Sequence, residues 1–277
     1  MAQGYTNFIG TAWSAHVLTA LQEHCFLRDF CTREYEGEVK RNSQIKINGV
    51  ARPTIGDYTG ASIGTPEVVP DSQVIMAIDK AKYFDFLVDD VNDAQMKPDL
   101  MKSLTKEAGI ALAVKADEAI ATEIATNGTK LTSASSINTA DKVQAEVDKA
   151  FIKLYENNVP LNTELELVLT PEFYQLFRSK ITDLSTDNVE LIKRGIVGKY
   201  NNAYVKMSNL IDKTTVAGFS SCFLRTNKAV AYAEQIDSIE AFRPQDLFAD
   251  AVKGLHVFGT KVVRPLEVAV IPMKSTT

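Results

Sequence analysis

The chain is poor in the residues that build disulfide frameworks, metal centres and histidine-based active sites. It has three cysteines (Cys25, Cys31, Cys222) and three histidines (His16, His24, His256) in 277 residues. So sparse and odd a cysteine set fits a reducing compartment and excludes a disulfide scaffold. No stretch reaches the ~18 consecutive apolar residues of a membrane helix. The N-terminus lacks the basic and apolar regions of a secretory signal. The expected compartment is the cytoplasm, or a particle assembled there. Positive charge is not in excess either. With 30 Lys+Arg against 35 Asp+Glu the net charge is -5, which disfavours a chain whose main task is to wrap nucleic acid. There is no G-x-S-x-G nucleophile elbow.

What is present is an ordinary soluble composition, 45% hydrophobic and 23% charged, in a chain long enough to bury a core without staples. The charge is unevenly spread. Residues 1–32 carry only Glu23, Arg28 and Asp29, whereas residues 85–124 carry nine acids and four lysines. Residues 1–32 read as a flexible start followed by a helix on Trp13, Val17 and Leu21, either packed on its own domain or an arm on a neighbour. In residues 33–79, Ile45 and Ile47 alternate with polar residues, Asn48-Gly49 is a strong two-residue hairpin signal, and Val74, Met76 and Ile78 alternate on the way back. The stretch Arg52-Pro53-Thr54-Ile55-Gly56-Asp57-Tyr58-Thr59-Gly60 is turn-rich with almost no core content. A long two-stranded excursion results, too poor in large apolar residues to fold alone.

A short strand ending in acids, Tyr83 to Asp90, leads to Pro98 and a helix carried by Leu100, Leu104, Ala108, Ala111, Leu112, Ala119, Ile120 and Ile124, capped at Asn127-Gly128. About 30 residues at 1.5 Å rise give a spine of about 45 Å. Residues 129–138 read as a Ser/Thr-rich linker. Helices are predicted at about 139–157, from Pro171 through Phe177, and from Asp187 to Arg194, stopped by Gly195. Strands are predicted at Leu165–Leu169, Ala203–Met207, Cys222–Leu224, Ala229–Ala233, Leu255–Phe258, Val262–Val263 and Val268–Ile271. The order is α+β rather than a βαβ repeat, which disfavours a doubly wound nucleotide fold.

Candidate chemistry is thin. Gly195-Ile196-Val197-Gly198-Lys199 resembles half a P-loop, but Lys193 stands where the first glycine is needed and Tyr200 where Ser/Thr would hold magnesium. The same segment formally contains a GxxG clamp for single-stranded RNA. The bland alternative is a helix C-cap followed by a turn. His16, His24, Cys25 and Cys31 match no usual zinc spacing and read equally as core residues. Asp89, Asp90 and Asp93 could hold a hard cation or supply a general base. They lack the alternating ligands and bidentate Glu of a calcium loop, and fit a solvated acidic corner before a helix. No cofactor is expected, and no catalytic residue or metal ligand is assigned.

The order of these features is similar to that of the major capsid (coat) proteins of tailed bacteriophages, whose fold is shared with encapsulin shells. Three stretches carry the resemblance: Lys46 to Tyr58 (Lys-Ile-Asn-Gly-Val-Ala-Arg-Pro-Thr-Ile-Gly-Asp-Tyr), Asp79 to Asp90, and Asp99-Leu100-Met101 with the alanine-rich helix to Ala125. Gly254 to Ile271 resembles the closing strands. The resemblance implies an N-terminal arm (1–32), an extended β-hairpin loop (33–79), a peripheral domain with a spine helix (80–138 and 236–277) and an axial domain (139–235). It implies self-assembly into pentamers and hexamers of an icosahedral head that encloses double-stranded DNA without sequence-specific binding. A portal at one vertex, a separate scaffolding protein, no membrane, and assembly in the host cytoplasm go with it. Intersubunit contacts are then expected from Trp13, Lys40, Arg41, Lys46, Arg52, Asp57 and Tyr58, with the basic loop residues meeting Asp89, Asp90 and Asp93. The alternatives are an encapsulin-type compartment holding a protein cargo, and a soluble enzyme using Asp89/Asp93 or His16/Cys31.

Overall fold

The computed structural model describes residues 26–34, 44–50, 55, 71–89, 100–180, 196–216, 218–243 and 249–275. In chain order, β1 (Gln44–Val50), β2 (Asp71–Ala77) and β3 (Lys80–Asp89) precede the long helix α1 (Leu100–Asn127). Then come β4 (Thr129–Lys130), β5 (Ala134–Ile137), α2 (Ala140–Glu156), β6 (Leu165–Leu169) and α3 (Pro171–Lys180). The remaining strands are β7 (Ile196–Tyr200), β8 (Ala203–Met207), β9 (Ser220–Thr226), β10 (Val230–Phe242), β11 (Ala249–Val262) and β12 (Val268–Ser275).

These strands make three sheets: the antiparallel pair β1-β2, a three-stranded sheet β10-β11-β3, and a larger sheet β4-β12-β9-β6-β8-β7 with β5 also on β12. Every residue of β6 is buried, as expected of a central strand covered on both faces. Helix α2 turns Val143, Val147, Ala150, Phe151 and Leu154 inward, a 3.6-residue stripe that packs on this sheet. Chain passes between the two larger sheets at 227–229 and 263–267. The two crossings are hydrogen-bonded, since Val263 N and Arg264 N both donate to Ala229 O, at 2.9 and 3.1 Å.

Helix α1 has 28 residues, about 42 Å at 1.5 Å per residue, and touches β3 and β11 of one sheet and β9 and β12 of the other. Its buried side is Thr105, Leu112, Ala113, Ala116, Asp117, Ile120, Ala121, Ile124 and Ala125. The expected stripe is therefore rotated: Ala111 is exposed, and a carboxylate sits on the apolar face. Gly128 ends the helix for want of space, because a Cβ there would lie 2.7 Å from Ile124 O and 2.8 Å from Val270 Cγ2.

Four expectations need correction. Asn48-Gly49 is no turn: both lie inside β1, opposite Gln73 and Ser72, and pairing continues to Val50 and Asp71. The two-residue turn is at Asn201 and Asn202, with φ of 43° and 67°, between β7 and β8, where positive φ at both positions suits a type I′ hairpin. Ile196 to Lys199 is strand rather than a loop before a helix, with a register shift between Ile196 and Gly198; this removes the phosphate-loop and RNA-clamp readings, while Gly195, the expected helix cap, lies outside the described residues. The expected linker 129–138 contains β4 and β5, both parallel to β12. The boundary expected near residue 236 falls inside β10, and β12 belongs to the larger sheet. The helix expected over 187–194 lies outside the described residues.

Candidate functional site

The expected arm ends inside the core. Leu27 and Arg28 are each 1% exposed and Cys31 is buried beside them. Residues Arg28–Phe30 form a 3-10 turn whose preceding residue, Leu27, makes no side-chain cap. The cap comes from far along the chain: Asp117 of α1 accepts hydrogen bonds from Phe26 N at 3.0 Å and Leu27 N at 3.3 Å. Orphan N–H groups at a turn start are a ready place for a carboxylate. Burial pushes the Asp117 carboxyl up to about 6, against the opposing pull of the Phe26, Leu27 and Arg28 N–H groups and of Lys206.

Beneath the turn lies a buried ion cluster on the larger sheet. Glu166 of β6 and Arg225 of β9 are directly paired across antiparallel strands, so their side chains share a face. Arg225 Nε donates to Glu166 Oε2 at 2.6 Å, both side chains fully buried, and Lys206 Nζ of β8 reaches Glu166 Oε1 at 2.7 Å. The two cations also hold the arm's backbone. Arg225 Nη2 donates to Leu27 O at 2.6 Å and Lys206 Nζ to Phe26 O at 2.5 Å. Arg225 Nη1 lies 3.2 Å from Cys31 Sγ, whose thiol burial pushes up and which donates to Leu27 O. The thiol considered above as a zinc ligand is thus committed to the anchor.

A second carboxylate holds the other side of the turn. Glu234 of β10 receives Arg28 Nη1, Tyr232 Oη at 2.8 Å and Arg33 at 3.5 Å, and faces His256 Nε2 at 3.1 Å. Burial opposes its charge, but His256, Arg28 and Tyr232 together hold the carboxyl down at about 2. Thr32 extends this contact as a single parallel bridge to Ala231.

The hairpin is attached differently. Ile45, Ile47, Met76 and Ile78 are buried against Ala231, Ala233 and Val257 of the three-stranded sheet, with Val74, Ala81, Leu255 and Val263 around them. Apolar side chains from both partners form this seat. Its closeness depends on Gly259, where a Cβ would come within 2.6 Å of Ala77 O. The excursion is therefore not without a core at its base; it shares one with β10 and β11.

Of the expected contact residues, Lys46 is exposed on the outer face of β1, and its cross-strand partner Ile75 is exposed too. Asp89 is the last residue of β3, opposite Ala249. They stand on different sheets of one chain. Trp13, His16, His24, Cys25, Lys40, Arg41, Arg52, Asp57, Tyr58, Asp90 and Asp93 lie outside the described residues. Among the described residues no group of three metal-ligating side chains occurs. Large apolar side chains do face solvent, led by Ile55 at 94% and Tyr83 at 79% exposure. Among the described residues β3 is an edge strand, and Tyr83 and Leu87 project from one side of it. Single exposed apolar residues are normal, but aromatic and aliphatic residues along an edge mark a surface made for contact. Sequence reasoning missed Asp117, Glu166, Lys206, Arg225 and Glu234; for Glu166 the signal was its place in the apolar run Leu-Glu-Leu-Val-Leu.

Comparison with known proteins now gives these surfaces a context. Residues 71–271 match the family described as "Phage capsid protein". Curated proteins give no significant match. The solved structure titled "Mycobacterium phage Che8" is 34% identical to this chain, with a TM-score of 0.71 over 88% of this chain and 89% of that one. The capsid of cyanophage P-SCSP1u is 16% identical, with a TM-score of 0.66 over 90% and 94% of the two chains. A virus-like particle from Pyrococcus furiosus is 14% identical, with a TM-score of 0.62 over 97% and 99%. The last two share the fold. A family match spanning most of the chain, a relative at one-third identity and a fold common to head shells lead to one conclusion: this chain belongs to the phage capsid protein family and is a major capsid protein of phage heads.

Proposed function

We propose that the chain is the repeating subunit of an icosahedral head, assembling as hexamers and pentamers around double-stranded DNA. It is a structural component and not a catalyst. Assembly takes place in the host cytoplasm on a separate scaffolding protein, with a portal at one vertex. Residues 80–138 and most of 236–277 serve as the peripheral domain and 139–235 as the axial domain. The observation that supports this best is the hairpin. Its root has an apolar seat on its own chain, while Lys46 and Ile75 face outward. In this reading residues 51–70, with Arg52, Asp57 and Tyr58, reach a neighbouring subunit, together with Trp13, Lys40 and Arg41 from the chain before β1. The acids Asp89, Asp90 and Asp93 receive the basic loop residues. Each such rim pair contributes about 0–1 kcal/mol, so repetition sets register more than strength. The net charge of -5 suits a container that must not hold its DNA by phosphate contacts along every subunit.

Electron microscopy of the chain co-expressed with its scaffolding protein tests this reading: closed shells are expected, and persistent monomers would overturn it. Replacing residues 51–70 by a two-residue turn keeps the β1-β2 register, so a folded subunit that no longer closes shells is expected. The likeness to the Pyrococcus furiosus virus-like particle favours one rival, a compartment for protein cargo. Purified particles that contain protein cargo and no DNA would select it.

A further inference from the structure

Besides the long passage from β3 through α1 to β4, chain crosses between the two larger sheets at 227–229 and 263–267, and these two crossings meet at Ala229 O. Across that junction lies the segment Phe26–Thr32. One end of it is held by the larger sheet, through Arg225 Nη2 to Leu27 O at 2.6 Å and Lys206 Nζ to Phe26 O at 2.5 Å. The other end is held by the three-stranded sheet, through Arg28 to Glu234 and through Thr32 N to Val230 O at 2.9 Å and Tyr232 N to Thr32 O at 3.0 Å. Thr32 Oγ1 also donates to Asn227 O at 3.0 Å, on the crossing itself. At the Phe26–Leu27 end, Asp117 also ties the segment to α1, which touches both sheets.

We propose that Phe26–Thr32 is a strap that fixes the angle between the two sheets. Three properties support this. The strap's holds are directional hydrogen bonds to charged side chains, so they tolerate little sliding, whereas apolar contact alone would. They fall on both sides of the 227–229 crossing and so oppose its bending. The charged partners, Arg225, Lys206 and Asp117, are buried, so releasing the strap leaves them short of partners, and the strap is either fully seated or fully off. This concerns the subunit itself and does not depend on the geometry of any shell.

The test is hydrogen–deuterium exchange on the full-length chain kept unassembled. Arg28→Met cuts the strap at the three-stranded sheet, and Lys206→Met cuts it at the larger one. Hydrogen bonds to charged groups are each worth enough to change a local opening equilibrium about tenfold. Either variant is therefore expected to speed exchange of the Val263 and Arg264 amides about tenfold, although neither residue touches them. The amides of α2, which packs on β12 and β5 of the larger sheet, are expected to keep their rates. Once one end is cut the second cut has little left to release, so the double variant should exchange at Val263 within about twofold of the faster single variant. Fraying confined to the mutated end, or a double variant whose effect is the product of the two single ones, would overturn the strap. Arg28→Lys retains the charge with one donor group and guards against a collapsed fold; a change at Val263 in the same direction but smaller is expected, and no change counts against the proposal.

Discussion

Two segments before the long helix are fastened to the same body by opposite chemistry. The end of the arm, Phe26–Thr32, is held by buried ions and hydrogen bonds with fixed direction. The root of the hairpin is held by Ile45, Ile47, Met76 and Ile78 packed against alanines and a valine. Apolar attachment is non-directional and roughly proportional to area, so the hairpin can pivot on its seat at small cost. Ionic attachment is exacting and loses much when one partner goes. A shell subunit needs both kinds, a segment that keeps its place and one that adapts to neighbours arranged in slightly different ways.

The largest expected effect breaks the ionic side of the comparison. Arg225→Met leaves Glu166 with Lys206 alone and takes from Leu27 O its shortest hydrogen bond, leaving it the Cys31 thiol and Phe30 N. Removing one partner of a buried pair costs about 3–5 kcal/mol, read as a lower urea midpoint of the unassembled subunit. The triple change Glu166→Leu, Arg225→Met and Lys206→Met removes the cluster altogether. It should recover most of that loss, since a packed apolar patch often matches a buried ion triad. A triple variant as weak as the single one would mean that the backbone contacts to Phe26 and Leu27, rather than the pairing, hold the arm.

Next is the apolar side. Ile78→Ala removes a fully buried side chain from a small cluster, with an expected cost of about 2–4 kcal/mol. That cluster is separate from the main core, so the loss should be local: proteolysis should speed up within 44–77 while β6 and β9 stay protected. Equal loss of protection everywhere would show that the hairpin root is no separate seat.

The same contrast decides what could be read before the structure. Apolar periodicity placed α1, α2, β6 and β8 to within a residue or two, because each is built on residues that simply avoid water. The hairpin's inward set, Ile45, Ile47, Val74 and Met76, followed from alternation in the same way. Charged residues gave no such signal. Asp117 and Glu234 look like any solvated acid, and only the fold brings Phe26 and Arg28 to them from about 90 and about 200 residues away in sequence. The turn error has a similar cause. Asn48-Gly49 is competent for a tight turn, but its strand partner starts only at Asp71, whereas Asn201-Asn202 has a strand on each side.

The two carboxylates of the anchor make acid a finer probe. Glu234 is held at about 2 against an ordinary 4.5. Its contribution is complete above pH 4.5 and is lost as pH falls from 4.5 towards 2, since there the unfolded chain binds the extra proton. Asp117 is raised to about 6 from 3.8, and its sign is reversed. Between those values the folded state holds the proton and the unfolded chain does not, so stability falls as pH rises through that window. Each limb is worth about 2–3 kcal/mol at most. Urea midpoints against pH should peak near pH 4–5. Glu234→Gln should flatten the acid limb and Asp117→Asn the limb between 4 and 6. An unchanged profile in both variants would remove these groups from the anchor's electrostatics.

The smallest effect on the subunit is expected at Lys46, and it tests the hairpin's outward face. Lys46 is exposed, while its neighbours Ile45 and Ile47 point into the seat. Lys46→Glu should therefore leave the urea midpoint within about 0.5 kcal/mol, the usual range for a surface change. If the outer face meets acids of an adjacent subunit, the same change reverses an attraction at every copy of that contact. Shell assembly should then slow and depend more steeply on salt, since rim charges act mainly on association rate and its ionic-strength dependence. Arg52→Glu, further along the connection, should act in the same direction. Normal assembly by both variants would leave the apolar residues Ile75 and Ile55 as the hairpin's means of contact and remove charge from it.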